Sequence, residues 1–120
     1  MRAILINPVL QLVTEVEYNG DYHQIYEHIQ ARMFELVSLE GPDGAEVCVF
    51  VDEEGLLNDN PHGWFTIDGY AQPLRGRGLV LGGDDGGNTV GSPLNATQVA
   101  AMVQFPSDAE VRQAFKSGGF

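Results

Sequence analysis

Val47-Cys48-Val49-Phe50-Val51 and its later counterpart Leu79-Val80-Leu81 decide the fold of this chain. Both are short apolar runs dominated by β-branched and aliphatic residues, and both predict strands. Each empties into an acidic, glycine-rich turn, Asp52-Glu53-Glu54-Gly55 after the first and Gly82-Gly83-Asp84-Asp85-Gly86-Gly87 around the second. A strand that ends in such a turn is a common place for a rigid scaffold to present a binding surface.

The segments on either side supply partners for these strands. Met1 to Asn7 is apolar and stops at Pro8, which cannot donate to a ladder, and Gln11 to Tyr18 alternates with Leu12, Thr14, Val16 and Tyr18 on one face. These two segments predict a hairpin. Gly20 then breaks the chain, Asp21 is placed to cap a helix with Gln24 at its third position, and Tyr22, Ile25, Ile29 and Met33 fall on one helical stripe. Phe34 to Leu39 and Glu46 to Asp52, joined by Gly41-Pro42-Asp43-Gly44, predict a second hairpin. Trp64, Phe65 and Ile67 are apolar anchors of unassigned structure, and Gly69 to Gly78 is expected to be irregular because of Pro73 and its glycines. Asn95 with Gln98 and Ser107 with Glu110 each have the spacing of a helix capping box. The expected fold is α+β, a mostly antiparallel sheet of about five strands built from two hairpins plus Leu79 to Leu81. One helix follows the first hairpin and one or two C-terminal helices pack on the sheet. A single domain is expected over 1–106, followed by a short helix and tail over 107–120.

Composition narrows the function classes. A chain of 120 residues with 43% hydrophobic residues can bury a core without staples. Its one cysteine, Cys48, lies inside an apolar run and is expected to be a buried, unreactive thiol. No basic-then-apolar leader and no run long enough to cross a membrane is present, so a cytoplasmic protein without a membrane partner is expected. The net charge of −11 is concentrated in the first half: residues 1–68 carry 13 acids against Arg2 and Arg32, whereas 69–120 are balanced. From Glu35 to Asp68 there are nine acids and no base, a field that repels nucleic acid and attracts basic protein surfaces.

Candidate chemistry can be weighed residue by residue. Asn58, Asn60, His62 and Gly63 approach the spacing of a calcium loop, but its last ligand position would fall on Gly69. His23 and His28 are five apart on a helix, too far round to share a zinc ion. Arg75-Gly76-Arg77-Gly78, with Asp84 and Asp85 beyond, is the candidate ligand-binding segment, because small residues let backbone amides and guanidinium groups approach an anion. It lacks the lysine and hydroxyl ending of a P-loop. The opposing reading is that these arginines only balance the acidic half. Asp52, Glu53, Glu54, Asp59 and Trp64 are the candidate partner-binding residues. No catalytic residue, metal site or cofactor is expected. An enzyme would need acids around Asp52 and Asp84 to converge.

Several segments in order carry a resemblance: the opening Ala3-Ile4-Leu5-Ile6-Asn7-Pro8, Gly20-Asp21-Tyr22 with Ile25-Tyr26, Val51-Asp52-Glu53-Glu54-Gly55-Leu56-Leu57, Gly69-Tyr70 with Gln72-Pro73-Leu74, and Gly76 through Asp85. Over about residues 1–105 the chain resembles a domain-of-unknown-function family of the DUF3846 type, small acidic proteins of phages, plasmids and bacterial genomes. The resemblance transfers no catalytic residue. It implies an accessory protein of a phage or mobile element in the bacterial cytoplasm, acting on a host component. The leading expectation is thus a non-enzymatic interaction protein that presents its acidic half to a basic host protein, in one form a DNA mimic or anti-defence factor. The alternative is a module that binds or sequesters a small molecule or nucleotide. A homo-oligomer is expected if Trp64 and Phe65 form an exposed apolar patch.

Overall fold

In the computed structural model, which describes residues 1–54 and 63–117, the two apolar runs lie side by side in the middle of one antiparallel sheet. Strand β1 (Arg2–Asn7) forms a hairpin with β2 (Leu12–Glu17), and β3 (Phe34–Glu40) forms a hairpin with β4 (Glu46–Asp52). The late strand β7 (Gly78–Gly83) inserts between them, so the order is β2-β1-β7-β4-β3. A short strand β8 (Thr89–Val90) pairs with the end of β7. The expected α+β fold with a mostly antiparallel sheet is what the chain adopts.

Both faces of this sheet are covered, so its central strands have no solvent side and show apolar runs instead of alternation. On one face, Ala3, Cys48, Phe50, Leu79 and Leu81 pack under α1 (His23–Ile29), which contributes Ile25 and Ile29. On the other, Ile4, Ile6, Val47, Val49, Val51 and Val80 meet a second sheet of order β6-β5-β9, made of β5 (Trp64–Ile67), β6 (Tyr70–Arg75) and β9 (Val103–Gln104). Phe65 and Ile67 of β5 and Val99 of α2 (Ala96–Met102) complete that layer. A third helix, α3 (Asp108–Lys116), buries Val111.

Three local expectations change. The segment before Gly78 is not irregular: Tyr70 to Arg75 is strand β6, and Pro73 is accommodated because β6 is an edge strand with one side free of ladder bonds. At α1 the N-cap is Tyr22, with no side-chain cap bond; the Asp21 carboxylate accepts from the His23 N–H instead, and the Gln24 side chain accepts from the Asn19 N–H. The stripe of α1 narrows to Ile25 and Ile29, since Tyr22 and Met33 are exposed.

The C-terminal caps form as their spacing predicts. Asn95 Oδ1 accepts from the Gln98 N–H at 2.8 Å while Gln98 Oε1 accepts from the Asn95 N–H at 2.9 Å, and Ser107 with Glu110 repeats the arrangement on α3. Because Val99 one turn on is fully buried, the cap of α2 also aims that residue into the core. Asn95→Ala is expected to cost about 1 kcal/mol, read as a lower midpoint in urea with an unchanged slope. The stop expected at Gly118-Gly119 lies outside the described residues.

Candidate functional site

The register between β4 and β7 separates the two acidic turns. Val51 stands opposite Gly78 and Glu46 opposite Gly83, so Asp52 leaves the sheet at one end and Asp84 at the other. At the rise of a β-strand they are roughly 20 Å apart or more. Convergence of Asp52 and Asp84 on one ion or substrate is thereby ruled out. No cluster of three metal-ligating side chains occurs among the described residues.

The same register divides the candidate ligand segment. Arg75 to Gly78 sits at the start of β7 and Asp84 with Asp85 beyond its end. The arginines themselves diverge. The Arg75 guanidinium carbon lies 5.8 Å from the centroid of the Trp64 ring, on the side of the second sheet. Arg77 Nη1 donates to the His28 carbonyl at 3.4 Å, against the last turn of α1 on the opposite face. A cation at a helix C-terminus is favoured by the carbonyls left unpaired there. Gly76 has φ 91°, a left-handed conformation suited to glycine, and its N–H donates to the Gly63 carbonyl. A Cβ on Gly78 would stand 2.7 Å from Phe65 Cζ, so the space above this glycine is filled by a core ring.

Asp84 organises its own turn. Its Oδ1 accepts from the N–H groups of Gly86 and Asn88 at 2.9 and 2.8 Å, and Oδ2 accepts from the Asn88 carboxamide at 3.1 Å. The Asn88 bonds, then that from Gly86, hold its carboxyl below the usual aspartate range. A depressed folded pKa contributes stability above the unfolded value that is lost as pH falls through the folded one. The Asp84 carboxyl is therefore expected to titrate below an ordinary aspartate by carbon NMR, and Asn88→Ala, which removes the carboxamide bond but keeps the backbone N–H, to move it only part of the way back up. Asp85 is exposed.

At the other end of the sheet the structure brings together residues that the sequence assigned to different roles. Glu35, Asp52, Glu53 and Arg75 share a cleft of about 150 Å³ with Tyr70, Gln72 and Pro73. Pockets for organic ligands are ordinarily about 300 Å³ or more, so this cleft suits an ion or a single side chain. Asp52 Oδ1 accepts from the Glu54 N–H at 2.9 Å, and Glu54 pairs with Arg32 at 3.2 Å. Asp59 lies outside the described residues, as do Asn58, Asn60 and His62 of the calcium-like spacing. Trp64 is half-buried: its indole N–H donates to Asp108 at 2.6 Å and its ring meets Phe115 edge-on at 6.4 Å. Phe65 is fully buried and Trp64 half-buried, so these two side chains do not form the exposed apolar patch that would have pointed to self-association.

Outside these turns, His23 and His28 each have a partner and Cys48 is buried. His23 Nδ1 lies 2.7 Å from Asp21, and His28 Nε2 lies 3.2 Å from the Glu17 carbonyl. Burial, followed by the nearby Glu46, pushes the Cys48 thiol up to about 11, leaving it protonated at neutral pH.

Glu35, Glu40 and Glu46 belong to the acidic run, and nothing local in the sequence marks them as site residues. The hairpin places Glu40 directly opposite Glu46, two like charges facing each other on adjacent strands. Ser38 Oγ donates to Glu46 at 3.1 Å. The signal for this pairing is present in the sequence, since a turn centred on Asp43 makes each pair of opposed residues symmetric about that position.

No helix among the described residues is long and apolar enough to cross a membrane. No curated protein and no solved structure matches the chain. A family model described as "Domain of unknown function" (DUF3846) matches residues 1–104, and the chain belongs to that family.

Proposed function

We infer that this protein is a non-enzymatic interaction protein of a phage or mobile element, and that in the bacterial cytoplasm it engages a basic surface of a host protein through the β3–β4 hairpin. The observation that carries this reading is the charge on the hairpin. From Glu35 to Glu54 the chain has seven acids and no base, and Glu35, Glu40, Asp43, Glu46 and Glu53 are all exposed. Arg32 pairs with Glu54 and Arg75 borders the cleft beside Glu35 and Glu53, but the hairpin's own charges are all negative, and such a run raises the local concentration of a basic partner and speeds its docking. The second half, whose charges balance, supplies β7 and, apart from β5, the layer beneath. One form of the activity is mimicry of duplex DNA, in which carboxylates take the place of phosphates in the groove of a nuclease or another anti-phage factor.

Affinity capture from a bacterial lysate, run in parallel with the natural chain and with Glu35, Glu40, Glu46 and Glu53 all changed to Gln, tests the reading. A host protein held by the natural chain, released by salt and by duplex DNA, and absent from the variant is the expected result. Identical captures by both proteins would refute it.

A further inference from the structure

We propose that β3 is a docking edge which accepts an extended, lysine- or arginine-bearing peptide segment of a partner as an added antiparallel or parallel strand. This rests on the acidic-surface reading above and specifies how the partner is held. The bonds bracketing the β3–β4 ladder define which backbone groups are free for it. The Glu53 N–H donates to the Met33 carbonyl at 3.2 Å and the Gly41 N–H to the Ala45 carbonyl at 2.7 Å, so odd-numbered residues of β3 bond inward to β4. By the alternation of an antiparallel ladder, Phe34, Leu36, Ser38 and Glu40 direct their N–H and C=O groups away from the sheet.

The other edges are less open to such pairing. Strand β6 carries Pro73, which has no N–H to offer. Strand β2 packs against α2, and its Glu17 carbonyl is met by His28. Strands β8 and β9 have two residues each. Among the described residues, β3 alone presents a seven-residue edge with neither proline nor a covering element.

Charge selects the occupant. Glu35 projects from one face of β3, and Glu40 with its cross-strand neighbour Glu46 from the other. Exposed Leu36 lies between, 49% accessible, beside the Phe34–Phe50 ring pair. A second copy of this chain would bring further carboxylates to the same edge. A basic strand instead places a cation near the opposed Glu40 and Glu46 and an aliphatic side chain along Leu36, while its main chain supplies the hydrogen bonds.

The probe is a short peptide alternating lysine and valine, added to the full chain and followed by amide hydrogen exchange. Saturation is expected to protect the Leu36 and Ser38 amides, which exchange freely beforehand. Leu36→Pro removes an outward N–H without touching the bonds to β4, and should weaken the peptide about tenfold or more. Should that variant fail to fold, a fully N-methylated peptide makes the same deletion on the probe and is expected not to bind. Salt-sensitive binding with no amide protection, and with Leu36→Pro or the methylated peptide binding normally, would overturn strand addition while leaving the acidic surface intact. Equal binding of a glutamate–valine peptide would overturn the choice of a basic occupant. Protection of the same amides in a dimer of the free protein would assign the edge to a second copy. No binding of the lysine peptide at all would overturn both this proposal and the reading beneath it.

Discussion

Phe65→Ala is expected to lower stability by about 3–5 kcal/mol, a fall in melting temperature of roughly 10–20 °C. Phe65 is the largest of the fully buried side chains among the described residues and ties the middle strand of the small sheet to the inner face of the large one. Gly78 is its counterpart. Because a Cβ there would meet Phe65 Cζ at 2.7 Å, Gly78→Ala should cost about 1–3 kcal/mol by overpacking. The two effects share one contact, so they should not add. Phe65→Leu combined with Gly78→Ala is expected to be more stable than the sum of the single changes allows, measured as a double-mutant cycle in urea. Strict additivity would mean that Gly78 is required for something other than room for the ring.

Replacing Glu35, Glu40, Glu46 and Glu53 with Gln is expected to slow association with a basic probe by about tenfold or more at low salt, without loss of thermal stability. The direction of each effect has a separate cause. Attraction at a distance scales with the charge removed and is screened by salt. Stability is held or improved because Glu40 and Glu46 face each other across the hairpin, and removing opposed like charges relieves a local repulsion. Glutamine keeps an oxygen in place to accept from Ser38 Oγ. A surface that gains stability when its charge is deleted carries that charge for another reason.

How far the sequence foretold this molecule depends on how local each determinant is. The strands β4 and β7 announce themselves as apolar runs because both of their faces are buried, and the caps of α2 and α3 are written within four residues. Strand β6 was missed because Pro73 and the neighbouring glycines argue locally for irregular chain, whereas an edge position decided by tertiary pairing tolerates the proline. The insertion of β7 between two hairpins could not be foreseen, since no local feature ties Gly78–Gly83 to β1. That pairing order governs the candidate site. It puts Asp52 and Asp84 at opposite ends and turns Arg75 and Arg77 to opposite faces, one over Trp64 and the other onto the end of α1. It also gathers Glu35, Asp52, Glu53 and Arg75 around one small cleft. Charge, by contrast, is legible in the sequence alone, because the acids of a hairpin stay together whatever the order of the sheet.

The direct test of the acidic hairpin as the working surface compares two variants of equal net charge. One carries Gln at Glu35, Glu40, Glu46 and Glu53; the other carries Glu15→Gln, Glu27→Gln, Asp68→Asn and Asp85→Asn, four carboxylates outside the hairpin. Association rates with the lysine–valine peptide, measured from low to high salt, should fall steeply and lose their salt dependence for the hairpin variant while the second stays close to the natural chain. Equal losses in the two variants would contradict the account, because the peptide would then be sensing the charge of the whole molecule and not a site on it.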